Sequence, residues 1–169
     1  MPMTSSNAIS RRSALRLPVA IVGAAIFSQP LRALAHSDAN QITVWKNPDC
    51  GCCREWVAHL RKNGFDVVTH DIKDTAPIRQ KLGLPDKFGS CHTAQLRGYV
   101  LEGHVPAREI HRLLRDKPNA RGLAVPGMPV GSPGMEMGAA QDAYDVLLVL
   151  ADGSSRVYQS YPSKYPSKS

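Results

Sequence analysis

The chain has 169 residues, 21 basic and 14 acidic side chains, and a net charge of +7. Four of the basic residues, Arg11, Arg12, Arg16 and Arg32, fall in the first 35 residues, where no acidic residue stands, so the other 134 carry only +3. That mild excess, with no Lys/Arg run interleaved with aromatics, argues against a nucleic-acid partner, and 134 residues suit one domain with a modest core.

The first 35 residues read as an address. Arg11-Arg12 precedes the apolar run Leu17 to Phe27, and Ala33-Leu34-Ala35 follows as a small-x-small cleavage pattern. A membrane-spanning helix needs about 20 apolar residues, and this run is too short to remain as an anchor. The expectation is an export signal of the twin-arginine type over 1–35, cleaved after Ala35. The mature protein is then periplasmic, with no membrane insertion after cleavage and a flexible start over 36–41.

The mature chain opens with Ile42-Thr43-Val44-Trp45, a β-branched and aromatic run expected as a buried strand. Asn47-Pro48-Asp49 ends it, and Asp49 is placed to cap a helix from about Cys52 to Asn63. Cys53, Trp56, Val57 and Leu60 share one face of that helix at i, i+3/i+4 and i+7 spacing. Phe65 to Ile72 reads as a second strand. A short helix follows, with Pro77 in its first turn and Ile78 and Leu82 inward.

Thr93 to Val105 has the pattern of a small hairpin turning at Arg97-Gly98. Pro106 opens a helix whose Ile110, Leu113 and Leu114 face inward. Residues 117 to 142 are rich in Gly, Pro and Met without periodicity. Tyr144 to Leu150, Asp152-Gly153 and Ser155 to Tyr161 form the clearest hairpin pattern. The Pro/Ser-rich stretch 161–169 is expected as a disordered tail.

A strand, a thiol loop, a helix, a second strand and a late hairpin match the order of a thioredoxin-like α/β fold, a small mixed sheet with flanking helices. Either hairpin can supply the antiparallel edge of that sheet. The stronger strand signal at 144–158 favours the last one, which makes 85–142 a large insertion carrying its own helix.

All four cysteines, Cys50, Cys52, Cys53 and Cys91, lie in the mature part. Cys50-Gly51-Cys52-Cys53 sits where a strand becomes a helix, so helix N-terminal N–H groups favour thiolate there. Three readings stay open. Structural disulfides are the default for an exported protein, although three cysteines within four residues are poorly placed to cross-link distant segments. A thiol–disulfide oxidoreductase would use the C-x-x-C of Cys50 and Cys53, with Cys52 as an unhelpful third thiol. A metal site uses all of them.

The methionines bear on the metal. Outside the signal, all of them fall in one Gly/Pro loop: Met128, Met135 and Met137. Thioethers suit copper(I), a soft ion content with two or three sulfurs, better than zinc. Their alternative role is to fill gaps under the loop. His92 adjoins Cys91, and His104 precedes a helix start, so both are further candidate ligands. His59 and His111 on helices and His70 at a strand end are expected to be ordinary.

Four segments resemble one family. These are Trp45-Lys46-Asn47-Pro48-Asp49-Cys50-Gly51-Cys52-Cys53, Ser90-Cys91-His92-Thr93-Ala94, Gly98 to Ala107, and Gly122 to Glu136 with its Pro126-Gly127-Met128 and Pro133-Gly134-Met135. Together they are similar to the CopG-type copper-resistance proteins, over about residues 42 to 160. The resemblance implies a thioredoxin-like fold, a periplasmic location, a role in copper handling and a cysteine-held copper cluster. By position it marks Cys50, Cys52, Cys53 and Cys91 as core ligands, and His104, Met128 and Met135 sit in family motifs; His92 and Met137 remain candidates from the residues alone.

The resulting expectation is a periplasmic copper(I)-binding protein for copper tolerance. Its domain spans 42–160, holds more than one copper ion, converts copper redox state as a further activity, and works with other periplasmic copper-handling proteins. The alternative is a periplasmic thiol–disulfide oxidoreductase. Four thiols and three thioethers exceed what one copper(I) ion needs, and a bridging thiolate relieves the crowding.

Overall fold

The computed structural model describes residues 40–165. The expected export signal and cleavage point, residues 36–39 and the tail from 166 onward lie outside the described residues. In chain order the elements are β1 (Gln41–Lys46), α1 (Gly51–Lys62), β2 (Asp66–Asp71), α2 (Ala76–Lys81), β3 (His92–Leu96) and β4 (Tyr99–Glu102). There follow α3 (Ala107–Asp116), β5 (Gly122–Ala124), β6 (Tyr144–Val149) and β7 (Ser155–Tyr161). The seven strands form one mixed sheet in the order β2-β1-β3-β4-β5-β6-β7.

β1 pairs parallel with β2 and antiparallel with β3, and β3 pairs antiparallel with β4. This corrects the expected placement of the late hairpin beside β1. The first hairpin takes that edge, and β6–β7 is added far from it, through β5. The physical reason is pairing: β3 lies antiparallel to β1 from Thr43 opposite Gln95 to Lys46 opposite His92, and a tight turn at Arg97 and Gly98, with positive φ of 49° and 85°, keeps β4 beside β3. Such a turn matches the right-handed twist of short strands and closes them without a long loop. Residues 85–142 are therefore the middle of the sheet rather than an insertion. β5 escaped the sequence reading because three residues carry no detectable period.

Alternation along the strands divides the core between two faces. Leu101, Leu123 and Leu148 join Ile42, Val44 and the helices α1 and α3 on one face. Their neighbours Val100, Ala124 and Val149 meet Leu84 and Phe88 on the other. In α2 the expected inward pair is corrected: Ile78 and Leu82 are only half-buried, and Arg79 is the buried residue. It is drawn in by the carboxylate of Glu102 on β4.

The expected disordered tail is corrected as far as Tyr165. Gln141 and Lys164 exchange backbone hydrogen bonds of 2.6 and 2.8 Å, and the Tyr165 hydroxyl donates to Asp142. These unpaired loop groups find partners there that β7 alone does not supply.

Candidate metal and thiol site

Pro48 stops β1, and the chain turns through Asn47, whose carbonyl takes the Cys50 N–H at 3.2 Å. The cap of α1 is Cys50, not Asp49 as the sequence suggested. Its sulfur accepts the N–H of Cys53 at 3.3 Å, while Asp49 turns back and donates its own N–H to the Asn47 side chain. Asp49 stands one residue before the cap, and the Cys53 N–H it was expected to serve goes to the Cys50 sulfur instead.

Cys50 and Cys53 are joined by a disulfide, and Cys52 and Cys91 are free. The Cys52 sulfur lies 3.4 Å from that of Cys50 and 4.0 Å from that of Cys91. All four sulfurs fall within 4.8 Å of one another. Cys91 thus meets the thiol loop across 38 residues of chain. The antiparallel register that sets Lys46 opposite His92 brings the end of β1 and the start of β3 together.

Two imidazoles complete the cluster. The Cys91 sulfur is 3.2 Å from Nδ1 of His92 and 3.2 Å from Nε2 of His104. Each ring is held from behind by a backbone carbonyl: Nε2 of His92 by Gly103 at 2.9 Å, and Nδ1 of His104 by Pro133 at 2.8 Å. A carbonyl only accepts, so those nitrogens carry the hydrogen, and the nitrogens facing Cys91 present lone pairs. Burial pushes His92 down to about 3, with the neighbouring His104 adding to it and the Gly103 carbonyl opposing. Burial also lowers His104, against the pull of the Pro133 carbonyl and Glu136. Both rings are therefore neutral donors near pH 7, the form a metal needs.

Burial, and then the adjacent Cys52, push the Cys91 thiol up to about 12. Without a cation beside it, Cys91 is a thiol rather than a thiolate. The indole of Trp56 floors the site, with its ring 4.2 Å from that of His92 and its N–H on the Val105 carbonyl at 2.9 Å.

A family profile described as "Protein of unknown function, DUF411" matches residues 88–135. Two solved structures are similar over nearly their whole length. "Copper resistance protein copG- Form 1" is 48% identical, covers 72% of this chain and 97% of its own, and has a TM-score of 0.69. "Copper resistance protein copG- Form 2" is 47% identical, covers 72% and 98%, and also has a TM-score of 0.69. The chain belongs to the CopG family of copper resistance proteins. No curated protein matches it.

Within this CopG-family chain the profile span contains Cys91, His92, His104, Met128 and Met135, and stops short of the thiol loop and of Met137. The Met loop is tied to the site by its backbone. The Ser90 hydroxyl donates to the Gly127 carbonyl at 2.5 Å, next to Met128. Gly134, next to Met135, rests on α1 so closely that a Cβ there would lie 2.7 Å from the Cys52 carbonyl oxygen and the Trp56 nitrogen. Of the thioethers, Met135 is half-buried, while Met128 and Met137 are 55% and 67% exposed.

The remaining histidines divide. His70 stacks on Trp45, and His111 lies over Phe65 with Nε2 on the Asn63 carbonyl. His59 does more than expected, because its Nε2 accepts the Ala107 N–H at 3.1 Å and caps α3. Sequence reasoning missed Trp56, Arg79 and Glu102 as parts of the site. An acidic residue ending the apolar strand Val100-Leu101-Glu102 was the one available signal.

Proposed function

We propose that this chain is a periplasmic copper(I)-binding protein serving copper tolerance, and that its site holds more than one copper ion. The observation that carries this reading is the convergence of four sulfurs within 4.8 Å of one another, with two neutral imidazoles on the Cys91 sulfur. No carboxylate belongs to either converging group. A donor set of sulfur and imidazole suits copper(I) better than magnesium, calcium or manganese. The names of the two similar solved structures support the metal.

The proposed ligands are Cys50, Cys52, Cys53, Cys91, His104, Met128 and Met135, with His92 and Met137 as weaker contributors. The scaffold is read as a thioredoxin-like unit of β1-α1-β2 and β3-β4-α3 within the 42–160 domain. β5, β6 and β7 extend its sheet. The export signal over 1–35 delivers it to the periplasm, where other copper-handling proteins are its partners. Among the described residues no helix is long and apolar enough to cross a membrane.

Redox state sets how many sulfurs are on offer. Reducing the Cys50–Cys53 disulfide takes two electrons and two protons and yields two further thiols. The reduced chain should therefore bind more copper(I) than the disulfide form. Anaerobic titration with copper(I), followed by X-ray absorption, tests this. More than one copper per reduced chain, with metal–metal scattering, is the expected result. Bound copper should also stabilise the fold by about 4 kcal/mol at a thousandfold excess over the dissociation constant. A limit of one copper without metal–metal scattering would rule out the multinuclear site. Cys91→Ser should lower the stoichiometry and leave the chain folded.

The observed disulfide favours a second reading, a thiol–disulfide oxidoreductase working through Cys50 and Cys53. Fast metal-free turnover of a disulfide substrate that survives Cys52→Ser and Cys91→Ser would decide for it.

A further inference from the structure

Glu102 is fully buried and accepts three hydrogen bonds from three parts of the chain. Its Oε1 takes the Ser90 N–H at 2.8 Å and Nη1 of Arg79 at 3.2 Å, and its Oε2 takes the Thr93 hydroxyl at 2.7 Å. Arg79 is itself buried, and its Nε and Nη2 reach Asp86 at 3.2 and 3.1 Å. Burial pushes the Glu102 carboxyl up, while Thr93, Ser90 and Arg79 draw it back down.

A buried ion pair is weak support for stability, because apolar side chains of the same volume often do as well. What this pair does is reach. Ser90 and Thr93 stand on either side of Cys91 and His92. The ladder between β1 and β3 starts only at His92, so Ser90 and Cys91 precede the first strand pair. The Glu102 carboxylate supplies the acceptor that the Ser90 N–H lacks there.

The residues after Glu102 continue the arrangement. Gly103 adopts φ +69°, and a Cβ there would fall 2.4 Å from the Val125 carbonyl oxygen and 2.6 Å from the Ser90 hydroxyl. That reversal lets Glu102 point at Ser90 and Thr93, the Gly103 carbonyl hold His92, and His104 face Cys91. We infer that Glu102, braced by Arg79, is the positioning residue of the site: it fixes the Ser90–Cys91 segment so that the Cys91 sulfur sits between Cys52 and the two imidazoles. Its relevance to copper rests on the copper(I) reading above; its geometry does not.

The test is alkylation of the two free thiols in the full chain with the Cys50–Cys53 disulfide intact, resolved by peptide mass spectrometry. In Glu102→Gln the rate at Cys91 should rise about tenfold relative to Cys52, the scale set by losing a charge-assisted hydrogen bond from a closed loop. Arg79→Met should move the ratio the same way. Thr93→Val, a near-isosteric change, should move it by less and keeps the test alive if the other variants fold poorly. An unchanged Cys91-to-Cys52 ratio in variants whose melting temperature has dropped would make the network merely structural and overturn the positioning role. A copper(I) titration of the reduced variants supplies the second arm, with weaker binding expected in Glu102→Gln. Variants that shift the alkylation ratio as described, on a wild-type chain that binds no copper, would sink the copper reading and leave the positioning intact.

Discussion

The two halves of the site are built in opposite ways. The Cys50–Cys53 half is local: a proline-stopped strand and one helix turn place three sulfurs, and a disulfide between two of them makes its donor count depend on redox state. The Cys91 half is assembled from β3, the turn after β4 and the Pro133 loop, and its two imidazole donors take no part in the disulfide. Sulfur that comes and goes is thereby set against imidazole that stays. A local motif is cheap to form but offers reactive groups with little control over their surroundings. A long-range cluster needs the whole sheet, and in return it fixes tautomers and excludes water.

The largest break in that comparison should come from Trp56, which serves both halves. It rises from the helix of the thiol loop, lies against His92 and holds the Val105 carbonyl. Trp56→Ala should cost about 3–5 kcal/mol, as removal of a large core aromatic does. Denaturant unfolding measures it, and a loss under 1 kcal/mol would show that the halves do not share this floor.

A smaller effect is expected where the Met loop is seated. Gly134 has φ +86°, and an added Cβ meets backbone rather than a yielding side chain. Gly134→Ala should cost about 1–3 kcal/mol. It should also lift Pro133 from His104, seen as a change in the His104 imidazole resonances, whereas His92 keeps its Gly103 partner. Equal perturbation of both rings would count against separate anchoring.

A third effect separates the halves by pH. His92 stays neutral in the fold down to about pH 3 but titrates near 6.5 when unfolded. Below pH 6.5 the unfolded chain therefore binds a proton the folded chain refuses, and stability falls as pH drops through that window. The slope should be about 1.4 kcal/mol per pH unit for this ring, with His104 and His59 adding in the same direction. His92→Phe should flatten the slope in proportion, while Cys52→Ser in the thiol loop should leave it unchanged. Stability curves from pH 7 to 4 supply the measurement.

Most of the helices and strands were legible from period and punctuation: β1, α1, β2, α3 and the two hairpins lie within a few residues of their expected bounds. The thiol loop was legible as well, since its chemistry depends on spacing along one turn. Three things were not. β5 is too short to carry a pattern, the choice of hairpin beside β1 is a matter of pairing partners, and Arg79 became the buried residue of α2 because of Glu102, 23 residues away.

The sequence by itself determined which soft donors exist, that three of the four cysteines lie within one turn at a helix start, and which local elements carry them. Those properties depend on residues within one helix turn or one strand, where chain connectivity already limits the geometry. Only the tertiary structure decided that Cys91 faces Cys52, that both imidazoles turn lone pairs toward Cys91, and that a buried carboxylate holds the segment between them. Each of these depends on hydrogen bonds between atoms far apart in the chain, whose partners are chosen when the sheet closes.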